Sequence, residues 1–127
     1  MGRKILVVDD EPYVVRALSF ILKKGGHEVT TAADGQEALR HVEEDKPDLI
    51  LLDIMMPDLD GFEVTQRLKK DPATKDIYII LITAKGQEED RKRGFESGAD
   101  DYITKPFSPT GLIKMIDGIF KERSLKG

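Results

Sequence analysis

The feature that most constrains this chain is an alternation: short, continuously apolar runs recur along its length, with longer segments of helical periodicity between them. Ile5-Leu6-Val7-Val8, Leu49-Ile50-Leu51-Leu52 and Ile77 to Ile82 are rich in branched residues, the pattern of strands covered on both faces. Tyr102-Ile103-Thr104 is a briefer run that ends at Lys105-Pro106, and Glu28 to Ala32 mixes Val29 with Thr30 and Thr31, as a strand at the sheet edge would. Between the first two runs, Val14, Val15, Leu18, Ile21 and Leu22 keep helical spacing after a start at Glu11-Pro12, and Gly25-Gly26 stops that helix. Segments 35–45, 61–70, 88–97 and 110–123 complete five strand–helix pairs, with no linker, repeat or low-complexity tract. This order predicts a parallel sheet wrapped by helices, in which right-handed crossovers place every strand's carboxyl end on one edge. Ligands of such sheets bind at that edge, so function is expected there.

Composition narrows the function classes. A chain of 127 residues is one domain in size. Its 20 Lys+Arg against 24 Asp+Glu leave a net charge of −4, which argues against binding nucleic acid or anionic lipid through bulk charge. With no Cys there is no disulfide framework, zinc–thiolate site or cysteine nucleophile, and a reducing compartment suits the chain. Its apolar runs fall far short of the roughly 20 residues of a membrane span. Met-Gly-Arg-Lys before Ile5 makes neither a signal peptide nor a good myristoylation motif. A soluble cytoplasmic domain is expected.

The residue just after each apolar run supplies the chemistry: Asp9-Asp10 after the first, Asp53 after the third, Thr83 after the fourth and Lys105 after the last. Strand ends emerge into water in any α/β protein and carry polar residues for that reason. Two adjacent acids after the first strand and a lone Asp after the buried third go beyond it. Together the five make an all-oxygen site for a hard cation, with an ammonium and a hydroxyl left for an anion. Mg²⁺ plus a phosphoryl group fits: three carboxylates and the phosphoryl carry roughly five negative charges, and Mg²⁺ with Lys105 returns roughly three positive ones. At about 4 Å each like-charge pair costs about 4 kcal/mol at an effective dielectric near 20, so the acids alone must raise a pKa or recruit an ion.

These residues carry a resemblance that covers essentially the whole chain. VVDDE at 7–11, DLILLDIMMPDLDGFE at 48–63, LITA at 81–84 and GADDYITKPF at 98–107 resemble, in order and spacing, the receiver domain of a two-component response regulator. The resemblance implies a single receiver domain over residues 1–127 with a flavodoxin-like (βα)5 fold, doubly wound, its five parallel strands in the order 2-1-3-4-5. By position, Asp53 resembles the phosphoacceptor. Asp9 and Asp10 resemble the metal-binding acids, Met55 the residue whose backbone carbonyl completes the Mg²⁺ site, and Lys105 the phosphoryl-binding lysine. Thr83 resembles the switch hydroxyl, counted with Asp53 and Lys105 in the reacting set, and Tyr102 the switch aromatic. Pro57 and Gly61 would shape the loop after Asp53, and Lys105-Pro106 resembles the family's cis peptide.

The partners so implied are a sensor histidine kinase or histidine phosphotransfer protein as donor, and a downstream target on the face formed by the fourth helix, fifth strand and fifth helix. A homodimer formed on phosphorylation is also implied; direct nucleic-acid binding and membrane association are not expected. The chain ends soon after the fifth helix, as a stand-alone regulator or a piece of a longer one would. One rival is a haloacid-dehalogenase-like phosphatase, but that class resembles DxDxT after its first strand, and Asp53 is followed by Ile54-Met55-Met56-Pro57. The other is a pseudo-receiver that takes no phosphoryl group and serves as an interaction module.

Other polar residues are expected to play lesser parts. His27 and His41 read as solvated surface, in a turn and on a polar helix face. Asp58 and Asp60 read as caps of the helix beginning near Gly61. Asp100 and Asp101 read as surface acids, with Asp101 able to join an ion pair between subunits, and Glu11 reads either as a water-mediated support for the metal or as a first-turn helix acid. From Gly86 to Asp100 charges dominate, and Phe95 is almost the only large apolar anchor, so the fourth helix is expected to be weakly held. The fifth carries Leu112, Ile113, Met115, Ile116, Ile119 and Phe120, a stripe broad enough to leave Met115 or Ile119 partly exposed.

Overall fold

The computed structural model describes residues 3–57, 59–84, 88–105 and 107–126, the side chains of 84, 88–90 and 124–126 excepted. The elements run β1 (Lys4–Val8), α1 (Pro12–Lys24), β2 (Glu28–Ala32), α2 (Gly35–Glu44), β3 (Leu49–Asp53), α3 (Gly61–Lys70), β4 (Tyr78–Ala84), α4 (Glu88–Ser97), β5 (Asp101–Lys105) and α5 (Pro109–Lys126). All ten stand where the sequence places them. Strands outrun their apolar runs because ladder hydrogen bonds need no apolar side chain: Lys4 pairs with Glu28, and Thr83 and Ala84 with Thr104 and Lys105.

The sheet is parallel, in the order β2-β1-β3-β4-β5. Side chains alternate across a strand, so each buried strand feeds two cores. Leu6, Val8, Ile50, Leu52, Ile79 and Leu81 face one layer, with Val42 of α2 and Phe62, Val64 and Leu68 of α3. Ile5, Val7, Leu49, Leu51, Ile80 and Ile82 face the other, where Leu18 and Leu22 of α1 meet Leu112, Ile116 and Phe120 of α5. Burying each such side chain is worth about 1.5–3 kcal/mol, which is what holds the register. Met115 and Ile119 are half-buried, as the width of the α5 stripe predicts.

Asp60 caps α3 by accepting the Glu63 N–H at 2.9 Å, and Asp34 caps α2 by accepting that of Glu37 at 2.8 Å. Asp58, Gly86 and Pro106 lie outside the described residues, and with them the second cap and the cis peptide expected from the sequence.

Two expectations need correction. His27 is not solvated: its side chain is 9% exposed, its Nδ1 accepts the Arg3 N–H at 3.3 Å, its Nε2 lies 3.6 Å from Asp117, and its ring packs 5.4 Å from that of Phe120. The side chain of this turn residue is covered because α5 returns over it. Phe95 is not the buried anchor of α4, being 45% exposed. The helix instead seats on Gly94, where a Cβ would stand 2.8 Å from Leu81 Cδ1, so α4 lies close against a β4 side chain there. Ser97 is buried beside it, its hydroxyl donating to the Arg93 carbonyl.

At the amino edge of the sheet Lys69 ties three segments together. Its Nζ donates to the Lys75 and Ile77 carbonyls and, at 2.8 Å, to Asp100, which also accepts the Ile79 N–H. Asp100 lies at the surface as expected, yet it links α3, β4 and the turn before β5.

Candidate functional site

The carboxyl edge gathers the predicted residues. Asp9 follows β1, Asp53 ends β3, Lys105 ends β5, and Thr83 is buried near the end of β4. Asp9, Asp10 and Asp53 each offer a carboxylate oxygen within 4.8 Å of the others, with Asp9 and Asp53 buried and Asp10 exposed. Among the described residues this is the one such cluster of acids.

The two buried acids are oriented. Asp9 Oδ1 accepts the Glu11 N–H at 3.0 Å, and its Oδ2 accepts from Lys105 Nζ at 3.0 Å. Asp53 Oδ1 accepts the Met55 N–H at 3.2 Å, and its Oδ2 lies 3.7 Å from Lys105 Nζ. Lys105 therefore spans from the last strand to acids at the ends of β1 and β3, and it also stands 3.6 Å from Glu11. Gly61 packs directly behind the site: a Cβ there would lie 2.7 Å from the Asp53 carbonyl oxygen and 2.8 Å from Ile54 Cα, so only glycine lets α3 begin so close. Met55 turns a 72% exposed side chain outward beside the pocket.

The electrostatics follow from burial. The Asp53 side chain is 7% exposed, and its pKa is pushed up to about 6 by desolvation, reinforced by the charges of Asp9 and Asp10, against the opposing Met55 N–H and Lys105. Burial works against the Lys105 ammonium, but the hydrogen bond to Asp9 and the charges of Asp53, Asp9 and Glu11 outweigh it and hold its pKa above the ordinary lysine value. The Tyr13 hydroxyl, with Lys105 nearby, lowers the Glu11 pKa. An oxygen-rich crevice with an excess of acid suits Mg²⁺ by its donor chemistry. His41, expected at the surface, is half-buried on α2, 3.6 Å from Glu37.

Tyr102, on edge strand β5, packs against the core layer that α2 and α3 cover. Its two neighbours on α4 are not legible in the sequence: the Arg91 guanidinium lies over the ring, and Phe95 meets it edge-on. Helical spacing alone could have paired Arg91 with Phe95, but not with a residue of the next strand.

Fold and site together define a doubly wound α/β protein with an acidic crevice at the carboxyl edge of its sheet. The family model for the response regulator receiver domain matches residues 5–117, and the chain belongs to that family, the receiver domains of two-component response regulators. It is 46% identical over 125 residues to the alkaline phosphatase synthesis transcriptional regulatory protein PhoP of Bacillus subtilis (strain 168), covering 98% of this chain and 51% of that protein. It is 44% identical to the phosphate regulon transcriptional regulatory protein PhoB of Escherichia coli (strain K12), covering 98% and 54%. The crystal structure of a CheY-like response regulator receiver domain protein from Methanospirillum hungatei JF-1 superposes with a TM-score of 0.91 at 31% identity, covering 100% of each chain.

These relatives correct one expectation. The absence of direct nucleic-acid binding was inferred from net charge, yet PhoP and PhoB are transcriptional regulators. RpaA of Synechocystis sp. (strain ATCC 27184 / PCC 6803 / Kazusa), 41% identical and covered for 93% of this chain and 49% of its own, is a DNA-binding one. The chain spans about half the length of these curated relatives. The charge of 127 residues carries no information about a nucleic-acid surface borne on another part of such a protein. Among the described residues no helix is long and apolar enough to cross a membrane.

Proposed function

We propose that the chain, as one receiver domain over residues 1–127, accepts a phosphoryl group on Asp53 from a phosphohistidine of a sensor kinase or phosphotransfer protein, in a Mg²⁺-dependent reaction in the cytoplasm. The observation that carries this reading is Asp53 itself: a buried acid at the carboxyl edge, crowded by two further acids and faced by one lysine. Burying like charges costs stability, and a site built to receive a cation and an anion accounts for that cost.

A carboxylate oxygen of Asp53 attacks the phosphorus, the P–N bond breaks, the imidazole leaves with a proton, and the product is an acyl phosphate. The Met55 N–H fixes the carboxyl plane through Oδ1. Lys105, 3.7 Å from Oδ2, is placed to neutralise the incoming phosphoryl oxygens. Asp9, Asp10, Asp53 and the Met55 carbonyl would hold Mg²⁺, which supplies charge neutralisation and orients the phosphoryl group. Thr83 then hydrogen-bonds the phosphoryl group and Tyr102 moves in response, shifting the population of states at the face formed by α4, β5 and α5.

The test is incubation with acetyl phosphate and Mg²⁺, followed by intact-mass measurement. A gain of one phosphoryl group that is lost in Asp53→Asn and abolished by EDTA is expected. No gain in the parent would leave the pseudo-receiver reading.

A further inference from the structure

The Tyr102 ring is held from α4 at two points. The Arg91 guanidinium carbon lies 4.7 Å from its centroid. The Phe95 ring meets it edge-on, centroids 6.0 Å apart and planes at 82°. Arg91 and Phe95 stand four residues apart and share one stripe of the helix. Among the described residues no carboxylate lies within ion-pair distance of Arg91, and its charge is directed at the ring face.

The rest of the seating of α4 is thin. Gly94 offers no side chain to the sheet, and Phe95 is nearly half exposed. Two arginines flank the helix instead. Arg93 reaches towards α3, its guanidinium 4.4 Å from the Phe62 ring centroid and 3.9 Å from the Asp60 carboxylate, while Arg91 reaches towards β5. The first contact joins two helices. The second joins α4 to the one ring assigned a part in the switch.

We propose that Arg91 is a positioning residue of that switch: stacked on Tyr102, its guanidinium holds α4 and β5 in the arrangement seen here and sets how far phosphorylation must tip the equilibrium. This rests on the reading of Asp53 as phosphoacceptor and Tyr102 as the moving aromatic. A ring that turns towards Thr83 gives up the stack, so the cation favours the unphosphorylated arrangement. Removing it raises the affinity for whatever favours the other arrangement, because coupling between two sites is reciprocal. A partly exposed cation–π contact shifts such an equilibrium by about 2–5-fold.

Beryllofluoride with Mg²⁺ is the probe, its binding to the full chain followed by calorimetry. Arg91→Met keeps an unbranched stem over the ring without the charge and is expected to bind about 2–5-fold more tightly than the parent. Arg91→Lys, which restores the cation, is expected to return towards the parental affinity. In a Tyr102→Leu background, with no ring to stack on, Arg91→Met is expected to change nothing, a null that a general loosening of the helix would not give. Equal or weaker binding by Arg91→Met, or the same gain in both backgrounds, overturns the proposal. Failure of the parent to bind beryllofluoride, or equal binding by Asp53→Asn, strikes the phosphoacceptor reading instead.

Discussion

Replacing Asp53 by Asn should make the metal-free protein more stable, and the gain should depend on pH. The Asp53 carboxyl is 7% exposed, and its pKa rises from an ordinary 3.8 to about 6 on folding. Between those values the folded chain binds a proton that the unfolded chain has released, so stability falls as pH climbs through that window and stays low above it. At 1.36 kcal/mol per pH unit, the shift is worth about 2–3 kcal/mol at pH 8. Asn keeps an oxygen for the Met55 N–H and removes the charge, while Lys105 retains its 3.0 Å bond to Asp9. The lost attraction between Lys105 and Asp53 is already counted in the net upward shift. For a chain of this size the gain corresponds to a rise in Tm of about 5–10 °C. The assay is calorimetric melting of parent and variant in EDTA from pH 4 to pH 8. Their difference isolates Asp53 from every other ionisable group of the chain. Near-coincident melting at pH 4, a gap that opens towards pH 6 and a plateau above are expected. A variant that melts below the parent at pH 8, or a gap independent of pH, would refute the reasoning and make Asp53 a structural partner of Lys105.

Mg²⁺ titration should raise the Tm of the parent by linkage, and Asp10→Ala, which removes the exposed member of the acid cluster, should lose most of that increase in the same thermal assay. Gly61→Ala drives a Cβ against the Asp53 and Ile54 backbone and should cost about 1–3 kcal/mol by urea unfolding. Gly94→Ala meets only the end of the Leu81 side chain and should cost less; equal losses would mean that the backbone behind Asp53 yields easily. Lys69→Met leaves the Lys75 and Ile77 carbonyls without their donor and should cost about 1–3 kcal/mol, with faster amide exchange in the turn between α4 and β5. Unchanged exchange there would show that the Asp100 contact does not hold that turn.

Sheet and site were legible for one reason. Strands buried on both faces announce themselves as unbroken apolar runs, and a parallel sheet sends the residue after each run to the same edge. Asp9, Asp53, Thr83 and Lys105 could thus be assembled from four separate stretches. What escaped notice depends on contacts between distant segments or on small residues. His27 is polar and lies in a turn, and nothing local foretells that Phe120 will close over it. Gly94 is buried, but burying a glycine leaves no hydrophobic signature, so Phe95 looked like the anchor. Asp100 looked idle because its partner, Lys69, is 31 residues away. Net charge misled over nucleic acid because it is a property of the stretch counted, and this chain spans about half the length of relatives named as transcriptional regulators.

Lys105 comes from the last strand of the sheet and answers an acid 96 residues earlier, just past the end of β1, across two intervening strands. As the chain is synthesised, Asp9, Asp10 and Asp53 all leave the ribosome long before their cation does. A nascent chain that stops short of β5 holds the three acids without the lysine that would receive a phosphoryl group beside them. On the reading proposed above, competence to accept a phosphoryl group is thereby tied to completion of the sheet.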